Sequence, residues 1–219
     1  MDDLARRRRP RRYAGKNLKR EYAVLAGFDT GAMVITDGGP MPLAWLAQGD
    51  RVLTQTGQYE PVLWVERTRL RMRAITDLPE LAPIAVAPGV LGDNVPDRML
   101  TVSPSQLIHV ARDPVDGAGP GVLIPAAALG TPIDPATRSA TEDIAYVSVL
   151  LPAHHLIQVD GAWMGSLFLA DLAADLGTDD PMWAAFGGHV MEPVAPILGR
   201  REAVQFLAAR AAAQAGKSA

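Results

Sequence analysis

Two stretches decide the reading: AGFDTGAMVIT, residues 26–36, and PLAWLAQGDRVLT, residues 42–54. Each holds a short run of strand-forming residues that stops at a turn, since AMVIT runs into DGGP and RVLTQ into TGQ. Working outward, EPVLWVERTRLRMR from Glu60 alternates apolar and charged residues with the period of two of a half-buried strand. IAVAP, MLTVS, LIHVAR, GVLIPA, YVSVLL and HLIQVDG follow as further strands with Gly and Pro between them. Many short strands predict a mainly β body of sandwich or barrel-like type. Most of the 18 prolines then belong to loops and edges, because proline removes a ladder donor.

Two segments have a different period. SLFLADLAADLG sets Leu167, Phe168, Leu172 and Leu176 at helical spacing before Gly177, and REAVQFLAARAAAQAG sets Val204, Leu207 and Ala208 on one side before Gly216. The stretch from Thr178 to Gly199 reads as loop. The expected organisation is a disordered basic leader over 1–21, a β domain over 22–165, and a helical C-terminal extension over 166–219 packed on it. The chain of 219 residues is 48% hydrophobic and 21% charged, an ordinary globular composition with no apolar run near the roughly 18 residues of a spanning helix. Residues 1–20 carry nine basic residues against Asp2 and Asp3, a charge of +7 that leaves −10 on the rest of a chain whose net charge is −3. A block such as RRRRPRR stays solvated, free to rest on anionic surfaces or nucleic acid. With no signal peptide recognised, a cytoplasmic location is the default expectation. No cysteine is present, which excludes disulfides, thiolate metal sites and cysteine nucleophiles.

Asp29-Thr30-Gly31-Ala32 looks like the catalytic turn of an aspartic protease. That chemistry needs two aspartates sharing a proton, and the sequence holds no second Asp-Thr-Gly or Asp-Ser-Gly. A dimeric protease with one aspartate per chain would place an Ile-Leu-Gly-Arg element near the turn, yet ILGR at 197–200 follows Asp29 by about 170 residues in a fold type whose protomer is near 100. No phosphate loop, zinc-helix motif or serine-hydrolase elbow occurs. His154 and His155 are adjacent and would face opposite sides of a strand, while His109 and His189 read as packed or surface residues; neither a metal nor a cofactor is expected. Trp45, Trp64, Trp163 and Trp183 read as core anchors, and aromatics at 5% make no stacking platform for single-stranded nucleic acid.

Taken in order, the segments resemble the Hint superfamily, the hedgehog and intein autoprocessing fold, in its bacterial, α-proteobacterial form. GFDTGAMVIT occupies the place of the opening Cys-Phe-Thr-Pro-Gly-Thr-x-Ile-x-Thr block, with Phe28, Gly31, Val34 and Thr36 in register. PLAWLAQGDRVLT is similar to Pro-Val-x-x-Leu-x-x-Gly-Asp-x-Val-Leu-Thr, the more specific match. PVLWV at 61–65, GVLGDNVPDRMLTVSPSQ at 89–106, IPAAAL at 124–129, YVSVLLPAHHLIQVDG at 146–161 and VAPILGRREA at 194–203 resemble later family elements.

The resemblance implies an acyl shift in which the first residue attacks the preceding carbonyl, aided by a Ser/Thr-x-x-His block and a later histidine. Gly27 stands where the nucleophile belongs and has no side chain to attack with. Gln106 replaces the block histidine after Ser103, though its amide can still donate a hydrogen bond, and Pro152 stands where a late aspartate is common. Ser103 and His154 are the family positions that remain, with Ser103 expected to cap a turn before Pro104 and His154 to pack in the former cleft. The final QAGKSA carries no His-Asn pair for splicing. These departures imply a domain that is not an enzyme but a binding or structural module, holding a protein or peptide partner in the former catalytic cleft. The alternatives are a variant that still cleaves itself at Ala26–Gly27, for which Thr30 lies too far along the turn and Asp29 would form an unstable anhydride, and a dimeric aspartic protease using Asp29.

Overall fold

A computed structural model describes residues 26–70, 75, 79–112, 121–133, 143–169, 181–187 and 191–217. The basic leader, His189 and most of the helix expected over 166–177 lie outside the described residues, as does the side chain of Trp183.

Among the described residues, fourteen strands form two sheets. In chain order they are β1 (Phe28–Asp29), β2 (Met33–Thr36), β3 (Gly39–Pro42), β4 (Arg51–Leu53), β5 (Tyr59–Pro61), β6 (Trp64–Leu70) and β7 (Ile84–Val86). Then come β8 (Leu100–Val102), β9 (Leu107–Ala111), β10 (Gly121–Pro125), β11 (Thr131–Pro132), β12 (Ile144–Leu150), β13 (Leu156–Val159) and β14 (Ala162–Gly165). One sheet runs β11-β7-β8-β1-β12-β6; the other runs β10-β9-β14-β13-β2-β4-β5, with β3 also paired to β2. Every pairing between these strands is antiparallel. Phe28, Val34, Val52, Val102, Ile108, Ile124, Val147, Val149 and Ile157 meet in the main core. Fully burying one such side chain contributes roughly 1.5–3 kcal/mol.

The expected strands form, with two corrections. The long run from Glu60 breaks at Val62–Leu63, because the Val62 N–H bonds Asp50 O in one sheet while the Leu63 N–H bonds Leu150 O in the other. That crossing ends β5 and starts β6, along which Thr68 and Leu70 turn inward and Arg67 and Arg69 outward. GPMP, TP and AWMG also form strands, the last closing a hairpin through Asp160 and Gly161, which take φ of +46° and +78° between the paired Val159 and Ala162. Asp160 is held there by its carboxylate, which accepts the Met33 N–H at 3.1 Å and Arg98 Nε at 2.8 Å.

Helix placement needs correction too. Residues 166–169 are not helical; the Leu167 N–H bonds Val149 O at 2.7 Å, continuing alongside β12. A short helix, α1 (Pro181–Phe186), forms inside the stretch read as loop. The C-terminal helix α2 (Arg200–Lys217) forms as expected, started by Glu202, whose carboxylate accepts the Gly199 N–H at 3.0 Å. Its buried edge is Ala203 with Phe206 and Leu207, whereas Val204 is exposed. The helix is anchored where Ile197 bridges Leu123 of β10 and the Leu198 N–H bonds Leu123 O, so ILGR serves as the lead-in to α2. No described helix is long and apolar enough to cross a membrane.

Candidate functional site

The site is built around Gly27, one residue before β1. That strand lies mid-sheet, pairing Phe28 with Val147 of β12 on one side and with Val102 of β8 on the other. Continuing both registers by one residue sets Gly27 level with Ser148 and with Ser103. The two serines hold the peptide bond between Ala26 and Gly27 at its polar ends. The Gly27 N–H donates to Ser103 Oγ at 3.0 Å, and the Ser148 hydroxyl donates to the Ala26 carbonyl oxygen. The Ser103 N–H in turn donates to Gly27 O at 2.9 Å. Both serines are buried.

Gly27 has no side chain, and its neighbours leave no space for one. A Cβ built there would meet Tyr146 Cβ at 2.9 Å, Ser148 Oγ at 3.2 Å and Val147 O at 3.3 Å. By the register, Gly27 lies opposite Ser148 and diagonal to Tyr146 on the same face, and its approach to Tyr146 is much closer than the about 7–8 Å usual for diagonal neighbours. Any residue other than glycine at 146 would present the same Cβ.

Ser103 begins the β-turn Ser103–Gln106, closed by the Gln106 N–H on Ser103 O at 3.1 Å with Pro104 second. Its hydroxyl also accepts from Gly27, so Ser103 links this turn to the start of β1. Gln106 is buried, and its Nε2 donates to Leu107 O at 3.0 Å and Gly165 O at 2.9 Å. Both amide hydrogens are thereby committed away from Gly27.

His154 lies in the loop before β13 and is buried, its ring tilted against that of Phe168 with centroids 4.9 Å apart. Its Nδ1 accepts the Val194 N–H at 3.3 Å, which leaves the proton of the neutral ring on Nε2, 3.0 Å from where a Cβ on Gly165 would sit. Burial lowers its pKa to about 4, the neighbouring charge of His155 adds to the shift, and the Ser166 backbone opposes it. The ring is therefore neutral at ordinary pH. His155 faces elsewhere, its pKa lowered by burial against the opposing charge of Glu60. Gln106 and His154 thus meet at Gly165, while Ser103 meets Gly27. Pro152 is half-buried in the loop after β12.

The other candidates have local roles. Asp29 Oδ1 accepts the Gly31 N–H at 2.9 Å, shaping the turn into β2 beside Thr30. His109 is buried in β9. Trp45 is no core anchor: it is 74% exposed, on the turn after β3 where the Trp45 N–H bonds Pro42 O. Trp64 and Trp163 are half-buried, Trp64 Nε1 donating to Glu66 Oε2 at 3.0 Å. Among the described residues no group of three or more His, Asp or Glu is placed to hold a metal ion. Sequence reasoning missed Ser148, although a lone serine in the apolar run YVSVLL was the available signal.

Residues 26–171 match the family described as the Hint domain, and the chain belongs to that family. Two solved structures of one intein are similar to it. The crystal structure of the gp41-1 intein is 14% identical, with a TM-score of 0.39 over 64% of this chain and 98% of that one. A triply substituted form of the same intein is 12% identical, with a TM-score of 0.34 over the same shares. Among curated proteins there is no match.

Proposed function

We propose that this Hint domain is a holding module, related to autoprocessing domains but with its own Ala26–Gly27 bond left intact. The observation that carries the reading is the closed space at Gly27, where a side chain would meet Tyr146 Cβ at 2.9 Å. An acyl shift needs a nucleophile next to the carbonyl it attacks and a group to protonate the departing nitrogen. Gly27 offers no nucleophile, and Gln106 commits its donors to Leu107 and Gly165. The residues before Ala26 stay attached to the β body, so the basic leader remains available for anionic surfaces or nucleic acid. A protein or peptide partner would engage the surface around this site, since Ser103 and Ser148 already hold the chain's own backbone there.

Self-cleavage at Ala26–Gly27 is the second reading, favoured by the Ser148 hydroxyl on the Ala26 carbonyl oxygen. Intact mass spectrometry of purified full-length protein decides between them. The holding reading expects the full mass over days at neutral pH. A fragment beginning at Gly27, lost in Ser148→Ala or Ser103→Ala, would sink it.

A further inference from the structure

Ser148 has no counterpart among the family positions that the sequence pattern supplies, yet its surroundings mark it as a positioned group. Along β12, Ile144, Tyr146, Ser148 and Leu150 share one face. Ile144 and Tyr146 belong to a small apolar cluster with Leu70, Ile75 and Ala82, and Leu150 belongs to another with Leu167, Leu169, Met182 and Phe186. Ser148 is a buried hydroxyl between two apolar clusters, where an unpartnered polar group is costly. It is satisfied by the Ala26 carbonyl oxygen, and Ala26 packs at the edge of the second cluster. That oxygen is the atom that gathers negative charge when any nucleophile adds to the carbonyl. A donor fixed on the resting carbonyl oxygen polarises the C=O bond toward that charge distribution.

We propose that Ser148 is the carbonyl-side positioning residue of this site: its hydroxyl polarises the Ala26 carbonyl while Ser103 fixes the N–H of the same peptide. The electrophile half of an acyl-transfer arrangement is kept although Gly27 supplies no nucleophile. The proposal rests on the reading of Gly27 as a closed nucleophile position. It adds that the bond is held in a polarised state as well as uncut.

The test uses the full chain labelled with 13C at alanine carbonyls and 15N at glycine, which selects the four Ala–Gly pairs of the sequence in a carbonyl-to-amide correlation spectrum. The Ala26 carbonyl should resonate downfield, move upfield in Ser148→Ala, and return in Ser148→Thr, which keeps the hydroxyl. Exchange protection of the Gly27 amide should fall about fivefold in Ser103→Ala and change less in Ser148→Ala. An Ala26 resonance unmoved in a folded Ser148→Ala, or not restored by threonine, overturns the proposal. Should Ser148→Ala fail to fold, Ser148→Cys, a weaker donor of similar shape, must give an upfield shift relative to Ser148→Thr; equal shifts overturn the proposal. Intact mass of the same samples reports separately on the holding reading, which fails on a fragment beginning at Gly27 whatever the carbonyl shift does.

Discussion

Placing a thiol at residue 27 by Gly27→Cys should destabilise the protein and leave it uncleaved. The new Cβ would lie 2.9 Å from Tyr146 Cβ and 3.3 Å from Val147 O, both fixed to the backbone of β12, so β1 has to move. Overpacking of this kind costs about 1–3 kcal/mol. Moving β1 also disturbs the Ser148 hydrogen bond to the Ala26 carbonyl, and a buried carbonyl left without a donor costs about 1–3 kcal/mol more. With partial relaxation the net loss should be about 2–4 kcal/mol, or roughly 4–16 °C in Tm for a chain of this size. Gly27→Ala should lose a similar amount, because the first carbon causes the clash. Gly38→Ala is the control: its nearest neighbour is Thr36 Oγ1 at 3.6 Å, ordinary contact, so its change should stay within about 0.5 kcal/mol. Thermal unfolding by circular dichroism, with intact mass before and after incubation with a reducing thiol, reads both consequences. A Gly27→Cys protein that melts with the wild type, or that yields a fragment beginning at residue 27, would refute the steric reasoning.

The His154 ring titrates in the unfolded chain near its ordinary 6.5 but near 4 when folded, so its stabilising contribution is complete above about pH 6.5 and declines as pH falls toward 4. That contribution is at most about 3 kcal/mol, and urea midpoints followed from pH 7 to 4.5 should fall less in His154→Gln than in the wild type. Gln106→Leu removes donors from Leu107 O and Gly165 O and should lower stability by about 2–3 kcal/mol in the same assay, whereas a loss below 0.5 kcal/mol, within the range of about ±0.5 for ordinary surface changes, would mean these bonds are not made. Trp45→Ala should change stability by no more than about 0.5 kcal/mol, against about 3–5 for Phe28→Ala in the core; the reverse order would contradict the placement of Trp45 on the surface.

How much of this was legible follows from the kind of signal each part leaves. Runs rich in β-branched residues and bounded by turn residues, such as MVIT and YVSVLL, announce themselves as strands, the second buried from Tyr146 to Leu150. GPMP and TP carry prolines that argue against strands, and they pair only because the ladder tolerates proline at these positions of β3 and β11. AWMG could have been found from the Asp160–Gly161 turn, whose two residues supply the positive φ of a tight hairpin. In the site, Ser103 and Gly27 were singled out through the family pattern. Ser148 was not, because its function depends on a pairing between residues 122 positions apart that no local spacing records. Nor could spacing tell that Gln106 turns to Gly165, which is a fact about what lies beside a side chain.

The rank Ser103–Gly27–Ser148 bears on how this sequence can change. Because the obstacle at Gly27 is the Cβ of Tyr146, which every residue but glycine shares, no single side-chain replacement on β12 can make room for a nucleophile while Tyr146 remains buried and packed. Accommodating a side chain at residue 27 requires at least two coordinated changes, each unfavourable alone. A side chain at residue 27 is thus separated from the present sequence by an unfavourable intermediate, whichever of the two positions changes first.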